Sequence, residues 1–384
     1  MSDSAARAGP LSQLRILEFA GIGAVPFCGM LCADLGADVV RIDRPGAPPI
    51  DRFALETRGR RSVVLDLKSQ TGRRTALELI AAADALLEGF RPGVMERLGL
   101  GPETALERNP KLVYGRMTGW GQNGPYARMA GHDLNFIALS GALHAMGPAE
   151  KPAIPLNLIG DFGGGALYLA FGVLAGILHA QRTGEGQTID CAMTEGTISL
   201  LTLLHGHLAR GTWLDRRASN IIDGAAPFYN VYQCADGEWI AVAAIEPQFY
   251  DELLRLTGAH DPAFSAQLDH EAWPSLSQKL AAIFKTRSRA EWCSILEGSD
   301  ACFAPVLSMR DAQLHPHNVA RESFVEVDGV RQPAPVPRFS RTPGSVRWGP
   351  TASGTHQESV LREWGVDPEL VDAATAAASS GATG

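Results

Sequence analysis

The chain has 384 residues, 45% of them hydrophobic and 20% charged, which is the profile of a soluble globular protein and not of a disordered one. Its formal charge of −8 gives no support to general nucleic-acid binding. Six cysteines, at positions 28, 32, 191, 234, 293 and 302, make neither a dense disulfide framework nor a zinc-type pair, and Met1-Ser2-Asp3-Ser4 opens no secretory leader, so a reducing cytoplasmic compartment is the expectation.

In chain order, residues 15–19 read as a strand, 25–35 as a helix and 38–42 as a second strand. Strands at 62–67 and 85–87 flank an Ala- and Leu-rich helix at 71–83, and 112–117 continues the series. This alternation implies βαβ units and a mainly parallel, Rossmann-like sheet. Residues 162–180 carry no charge over nearly membrane-spanning length. Gly163, Gly164, Gly165, Gly172 and Gly176 dilute that apolarity, which predicts a helix buried in a large domain with no stable membrane insertion. A strand at 187–191 and a helix at 195–210 then lead to Gly211.

Beyond Gly211 the texture changes. Strands at 229–234 and 238–244 flank Ala235-Asp236-Gly237 as a hairpin, and helical patterns follow at 248–256, 276–284 and 289–296. The expected organisation is α/β: a large ligand-binding domain over residues 1–211, then linkers and a small α+β domain over 212–330. A return segment over 331–372, marked by Pro333, Pro335, Pro337 and Pro343, precedes a disordered tail over 373–384.

Gly21-Ile22-Gly23 follows the first strand as a dinucleotide-binding turn does, and Asp43 stands where a ribose-binding acid would. The third glycine position is Pro26, however, and a lone GxG argues weakly for a nicotinamide or flavin cofactor. Charge distribution says more. Residues 41–100 hold eleven Lys or Arg against eight acids, and Arg41, Arg44, Lys68 and Arg91 directly follow predicted strands. Ligands of open α/β sheets sit beyond the carboxyl ends of the strands, and guanidinium forks suit phosphate. Any one of these bases also reads as a solvated ion-pairing residue; as a set they favour a phosphorylated ligand.

Three residues are candidates for chemistry. His132, in Gly131-His132-Asp133, stands at a helix start after the glycine-rich stretch Gly119-Trp120-Gly121-Gln122-Asn123-Gly124, and reads as either structural or catalytic. Asp161 precedes Gly163-Gly164-Gly165 and the long apolar helix. Helix capping alone would account for it, while the glycines would let an anion approach backbone N–H groups. Glu246, before Pro247, suits either a helix dipole or a site.

At these positions the sequence resembles the alpha-methylacyl-CoA racemases, members of the class III CoA-transferase superfamily. The resemblance is carried by residues 11–45, by Gly89-Phe90-Arg91-Pro92-Gly93-Val94 and by Arg116-Met117-Thr118-Gly119-Trp120-Gly121-Gln122. It continues through Gly131-His132-Asp133-Leu134-Asn135, Gly160-Asp161-Phe162-Gly163-Gly164-Gly165 and Ile245-Glu246-Pro247-Gln248-Phe249-Tyr250, in order, over nearly the whole chain.

The resemblance implies an intertwined homodimer with a site shared between the large domain of one subunit and the small domain of its partner. It implies inversion at C2 of 2-methylacyl-CoA thioesters by 1,1-proton transfer through an enolate. His132 and Asp161 would be the two acid–base groups and Glu246 the support of the histidine. CoA contacts are implied at Arg44, Leu65, Asp66, Leu67, Lys68, Gly89, Phe90, Arg91, Arg97, Gly131, His132, Asp133, Leu134, Asn135 and Phe136. No metal and no redox cofactor is expected. The alternative is a CoA-transferase with Asp161 as acyl-accepting nucleophile; the histidine of the Gly-His-Asp motif separates the two classes. Helix N-termini after His132 and Asp161 are expected to stabilise the enolate. Two departures from the family pattern, Ala24-Val25 before Pro26 and Ala225 at a common glycine position, would reshape the acyl pocket.

Overall fold

The computed structural model describes residues 9–48 and 50–381 and divides into two compact units. The first comprises Met1–Ser140, Pro155–Leu200 and Glu322–Gly384. Its centre is a six-stranded sheet of β1 (Arg15–Phe19), β2 (Asp38–Asp43), β3 (Arg61–Val64), β4 (Ala85–Glu88), β5 (Val113–Thr118) and β6 (Gln187–Ala192). The order is β3-β2-β1-β4-β5-β6 and every pairing is parallel, the doubly wound arrangement that the alternation predicted. Both faces are covered, which is why these strands read as apolar runs without polar alternation. Leu17, Phe19 and Val40 face one core layer with Leu79 and Ile80 of α2 (Gln70–Ala82). Ile16, Val39 and Leu87 face the other, with Ala24 and Cys28 of α1 (Ala24–Asp34).

Next along the chain come α3 (Asp133–Leu139), wide helical turns over Leu158–Ala166, α4 (Leu167–Thr183) and α5 (Met193–Leu200). The segment Leu158–Thr183 is long and apolar enough to cross a membrane by length and composition. Here α4 packs Leu169, Val173, Ile177 and Ala180 onto the sheet. Burial is one-sided, though: Leu167, Phe171 and Leu178 are 52%, 74% and 49% exposed, so the fully buried helix expected from sequence is corrected to an amphifacial one with two apolar sides.

The chain returns to this unit from Glu322. Arg58 holds that return: its guanidinium donates to Asp34 at 2.5 and 3.0 Å, to Gln332 at 2.8 Å and to the Pro333 carbonyl at 2.9 Å. Trp364 donates its indole N–H to Asp38 at 2.9 Å. The tail expected to be disordered from residue 373 is helical instead, in α7 (Pro368–Gly381) after α6 (Gln357–Glu363). Alanine is the best helix former, and Leu370, Val371 and Ala374 bury themselves with Leu79 and Trp364. Residues 382–384 lie outside the described residues.

The second unit comprises Gly141–Ile154 and Leu201–Arg321. An antiparallel sheet of Tyr229–Gln233, Trp239–Ala243 and Phe303–Pro305 packs with helices Pro247–Thr257, Trp273–Phe284 and Arg289–Leu296 around Phe228, Trp273, Phe284 and Trp292. Its limits differ from the 212–330 read from sequence. The predicted helix at 195–210 is two helices, α5 and Thr202–Arg210, and the unit border falls between them. The excursion Gly141–Ile154 is secured by Arg217, which donates to the carbonyls of His144, Pro148 and Ala149 at 2.9–3.3 Å.

Candidate active site

In the first unit the strand order reverses between β1 and β4, so the loops leaving their carboxyl ends diverge and open a crevice. Two cavities lie there, of about 500 Å³ and 510 Å³, and Ile22 and Phe90 line both. The first is lined by Arg44, Leu65, Asp66, Leu67 and Lys68, the second by Gly89, Arg91, Gly131, His132, Phe136 and Asp161. Thus eleven of the expected ligand and catalytic positions, besides Phe90, fall into this crevice.

Four of the eleven bases in the window are tied into the fold by ion pairs. Arg58 pairs with Asp34, Arg60 with Glu18, Arg61 with Asp38 and Glu363, and Arg41 with Asp43. Three of these guanidiniums are buried, and leaving any unpaired would cost several kcal/mol, about 3–5. Arg44 and Lys68 in the first cavity and Arg91 in the second have no ion pair among the described residues, so they are the bases left for a phosphate. Arg97 closes the short helix Val94–Arg97 and lines neither cavity. The loop carrying Phe90 and Arg91 is set by Glu88. This carboxyl is fully buried and pushed above the usual carboxylate range by that burial; it accepts the Phe90 backbone N–H at 2.7 Å and Arg116 Nε at 2.9 Å.

His132 heads α3. The Asn135 carboxamide accepts the His132 backbone N–H at 3.0 Å, while the imidazole is exposed on the second cavity. Phe136, edge-on to Trp120 with centroids 4.8 Å apart, packs against Gly119 and Gly131; a β-carbon on either glycine would strike that ring. Of the run 131–136, Gly131, His132 and Phe136 line the cavity, whereas Asp133, Leu134 and Asn135 do not. Asp133 is only 7% exposed and turns inward.

Asp161 is not a helix cap. Helical turns already begin at Leu158 and are wide through Ala166, the form of helix often found at functional sites. The Asp161 backbone N–H donates to Asp133 Oδ1 at 2.7 Å, and Asn157 Nδ2 donates to its Oδ2 over 3.4 Å. Its carboxyl is raised above the ordinary aspartate range, first by burial and then by the negative charge of Asp133; Asn157 and His132 pull the other way without winning. Capping would have lowered it; here burial and the Asp133 charge decide the sign.

The glycines after Asp161 do not admit a ligand. A β-carbon on Gly164 would sit 2.6 Å from the Thr197 nitrogen and 2.9 Å from the Met193 carbonyl, and one on Gly165 would sit 3.0 Å from the Met193 side chain. They let α5 cross at backbone distance, which corrects the anion-binding reading and removes the second helix end expected to stabilise an enolate. Of the two helix ends, the one at His132 is present.

Glu246 belongs to the second unit, where it precedes the helix Pro247–Thr257, its backbone carbonyl accepting the N–H groups of Phe249 and Tyr250 at 3.0 Å. Ala225 lies in that unit also, and Val25 lines the second cavity. Sequence reading missed Val25's neighbours on this wall, Met117, Met129 and Met193, together with Trp120 and Asn157. For Asn157 a signal existed: it stands four residues before Asp161, one helical turn.

Residues 11–357 match the model of CoA-transferase family III. The chain is similar to alpha-methylacyl-CoA racemase of Mus musculus, at 46% identity over 366 residues, covering 94% of this chain and 95% of that one. It is similar to the human alpha-methylacyl-CoA racemase at 42% identity over 373 residues, with the same coverage. Among solved structures, a CAIB/BAIF family protein from Brucella suis aligns with a TM-score of 0.79 and 26% identity, over 93% of this chain and all of that one.

Proposed function

Because the chain belongs to CoA-transferase family III, we propose that it inverts the C2 configuration of 2-methylacyl-CoA thioesters. One observation carries the reading: His132 and Asp161 line the same cavity, and Asp161 is held toward its proton-bearing form. The C2 hydrogen of such a thioester is weakly acidic. One group removes it, the C–H electron pair moves into the C1–C2 bond, and the thioester oxygen becomes an enolate. The second group returns a proton to the opposite face. One C–H bond breaks and one forms, without net oxidation, so no redox cofactor is called for, and proton exchange between two side chains calls for no metal.

In one direction His132 takes the proton and Asp161 donates; in the other they exchange roles. The head of α3, at His132, borders the cavity and is the helix end available to the enolate oxygen. Arg44 and Lys68 suit the phosphates of CoA, and the Met117, Met129 and Met193 wall suits an acyl chain. The exposed apolar side of α4, with Ile198 and Leu200 of α5, supports a homodimer in which Glu246 of the partner subunit steadies His132. A reducing, cytoplasmic setting accords with six free thiols.

The test is proton NMR of the protein with a 2-methylacyl-CoA in D₂O, with chiral analysis and a parallel sample containing a free carboxylic acid. Loss of the C2 proton signal together with optical purity is the expected result, with the loss of optical purity abolished in His132→Ala. CoA appearing on the added acid without C2 exchange would make the protein a transferase acylated at Asp161 and His132 a structural residue.

A further inference from the structure

Among the described residues, Asp133 is the one carboxylate buried in this unit without an arginine partner. It is 7% exposed, its Oδ1 accepts the Asp161 backbone N–H at 2.7 Å, and its Oδ2 is buried with no hydrogen-bond partner among the described residues. It does not line the cavity that holds His132 and Asp161. The space it occupies exists because residue 160 is glycine: a β-carbon there would lie 2.5 Å from Asp133 Oδ1 and 3.0 Å from Ile137 Cγ2. A buried carboxylate with an orphaned oxygen is costly to keep. Neither substrate contact nor ion pairing accounts for it.

We infer that Asp133 is a positioning residue that acts through Asp161, anchoring the backbone turn that presents it and keeping its side chain in the proton-bearing form. This rests on the reading of Asp161 as one of the two proton-transfer groups. The negative charge of Asp133 raises the hold of the neighbouring Asp161 carboxyl on its proton. Asp133 accepts a short bond from the Asp161 backbone N–H. Asp161 has only the 3.4 Å contact from Asn157. The elements packed against the Asp161 turn are α1, α3, α4, α5 and the ends of β5 and β6. Among their described residues, His132 and Asp133, both at the head of α3, are the charged groups acting on the Asp161 carboxyl, and Asp133 has the larger effect. Burial of Asp161 acts in the same direction as Asp133. The pair therefore supplies a proton donor on one face of the cavity at a pH where an ordinary aspartate has none.

The experiment has two arms. In the first, the pH profile of C2 exchange is measured for the parent, Asp133→Asn and Asp133→Ala. The Asn variant keeps an acceptor for the Asp161 N–H and loses the charge, so in the direction in which Asp161 donates the alkaline limb moves to lower pH, with KM unchanged. The Ala variant loses the anchor as well, and kcat falls more than in the Asn variant, again at unchanged KM. A profile of Asp133→Asn that superimposes on the parent, or a loss confined to KM, overturns the inference. In the second arm, the carboxyl C=O infrared band that disappears in Asp161→Asn is followed against pH in the protein without substrate. A band persisting above the ordinary aspartate range supports the inference, and a band gone by the ordinary range overturns it even if the Asp133 variants do not fold. A parent that exchanges no C2 proton sinks the racemase reading itself, an outcome separate from an unshifted Asp133→Asn.

Discussion

Gly196 of α5 lies against the carbonyl of Gly164 in the wide turns that carry Asp161, so closely that no β-carbon fits between them. This crossing sets how deep Asp161 sits and hence how its carboxyl behaves. Gly196→Ala is expected to lower stability by about 1–3 kcal/mol, through overpacking, and to lower C2 exchange with it. Thermal melts and exchange rates on the same sample check this; an unchanged melt would show that the two segments part without cost.

Removing either acid–base group abolishes inversion without abolishing every exchange. His132→Ala and Asp161→Asn are each expected to reduce racemisation by at least 10²-fold. Each variant retains a base on one face, so one enantiomer still exchanges its C2 proton in D₂O while keeping its configuration. Chiral analysis of partially deuterated product separates this from simple inactivation.

Stability should respond to Asp161 in the opposite sense. Its carboxyl is raised in the folded protein, by burial and then by Asp133, so its contribution is full below the ordinary aspartate range and is lost as pH rises through the folded value. Asp161→Asn removes that penalty. Its Tm is expected to exceed the parent's at pH 8, with the difference closing toward pH 4. Scanning calorimetry across that range reads the sign directly.

The basic residues divide into two kinds with different mutational signatures. Lys68→Ala, which removes a cation lining the first cavity, is expected to raise KM for an acyl-CoA, most at low salt, and to leave the melt unchanged. Arg60→Met leaves Glu18 buried without its partner and is expected to destabilise by about 3–5 kcal/mol. Urea titrations and steady-state kinetics on both variants test the division.

The thiols give a check on burial. Cys28, Cys32, Cys191 and Cys234 are buried, and burial first of all pushes Cys191 up to about 12 and the partly exposed Cys293 up to about 11. Thiolate is the reactive form, so labelling at pH 8 should be at least about tenfold slower in the native protein than in urea. Equal rates in both solvents would contradict this core.

The doubly wound sheet was legible in the sequence alone, because strands covered on both faces leave uninterrupted apolar runs between helices of the right length. The bases after predicted strands pointed to a ligand beyond the strand ends, but the reversal of strand order after residues 19 and 88 is a property of the tertiary structure. The Ala-rich end misled: the composition of a loose tail is also that of a good helix once Leu370, Val371 and Ala374 find apolar partners. Local pattern also could not foresee the excursion Gly141–Ile154, which belongs to a unit whose other residues begin only at Leu201.

Residue identity and order were enough for the sheet, through periodicity, and for a phosphorylated ligand, through charge, while His132 and Asp161 were singled out by resemblance to a family. Proximity in space was needed for everything that depends on environment. It tied Arg58, Arg60 and Arg61 into the fold, assigned the glycines after Asp161 to the passage of α5, and moved Asp161 from a helix cap into the first turn beside Asp133. The affinity of a carboxyl for its proton is a property of the charges and solvent around it, and those are contributed by residues far apart along the chain.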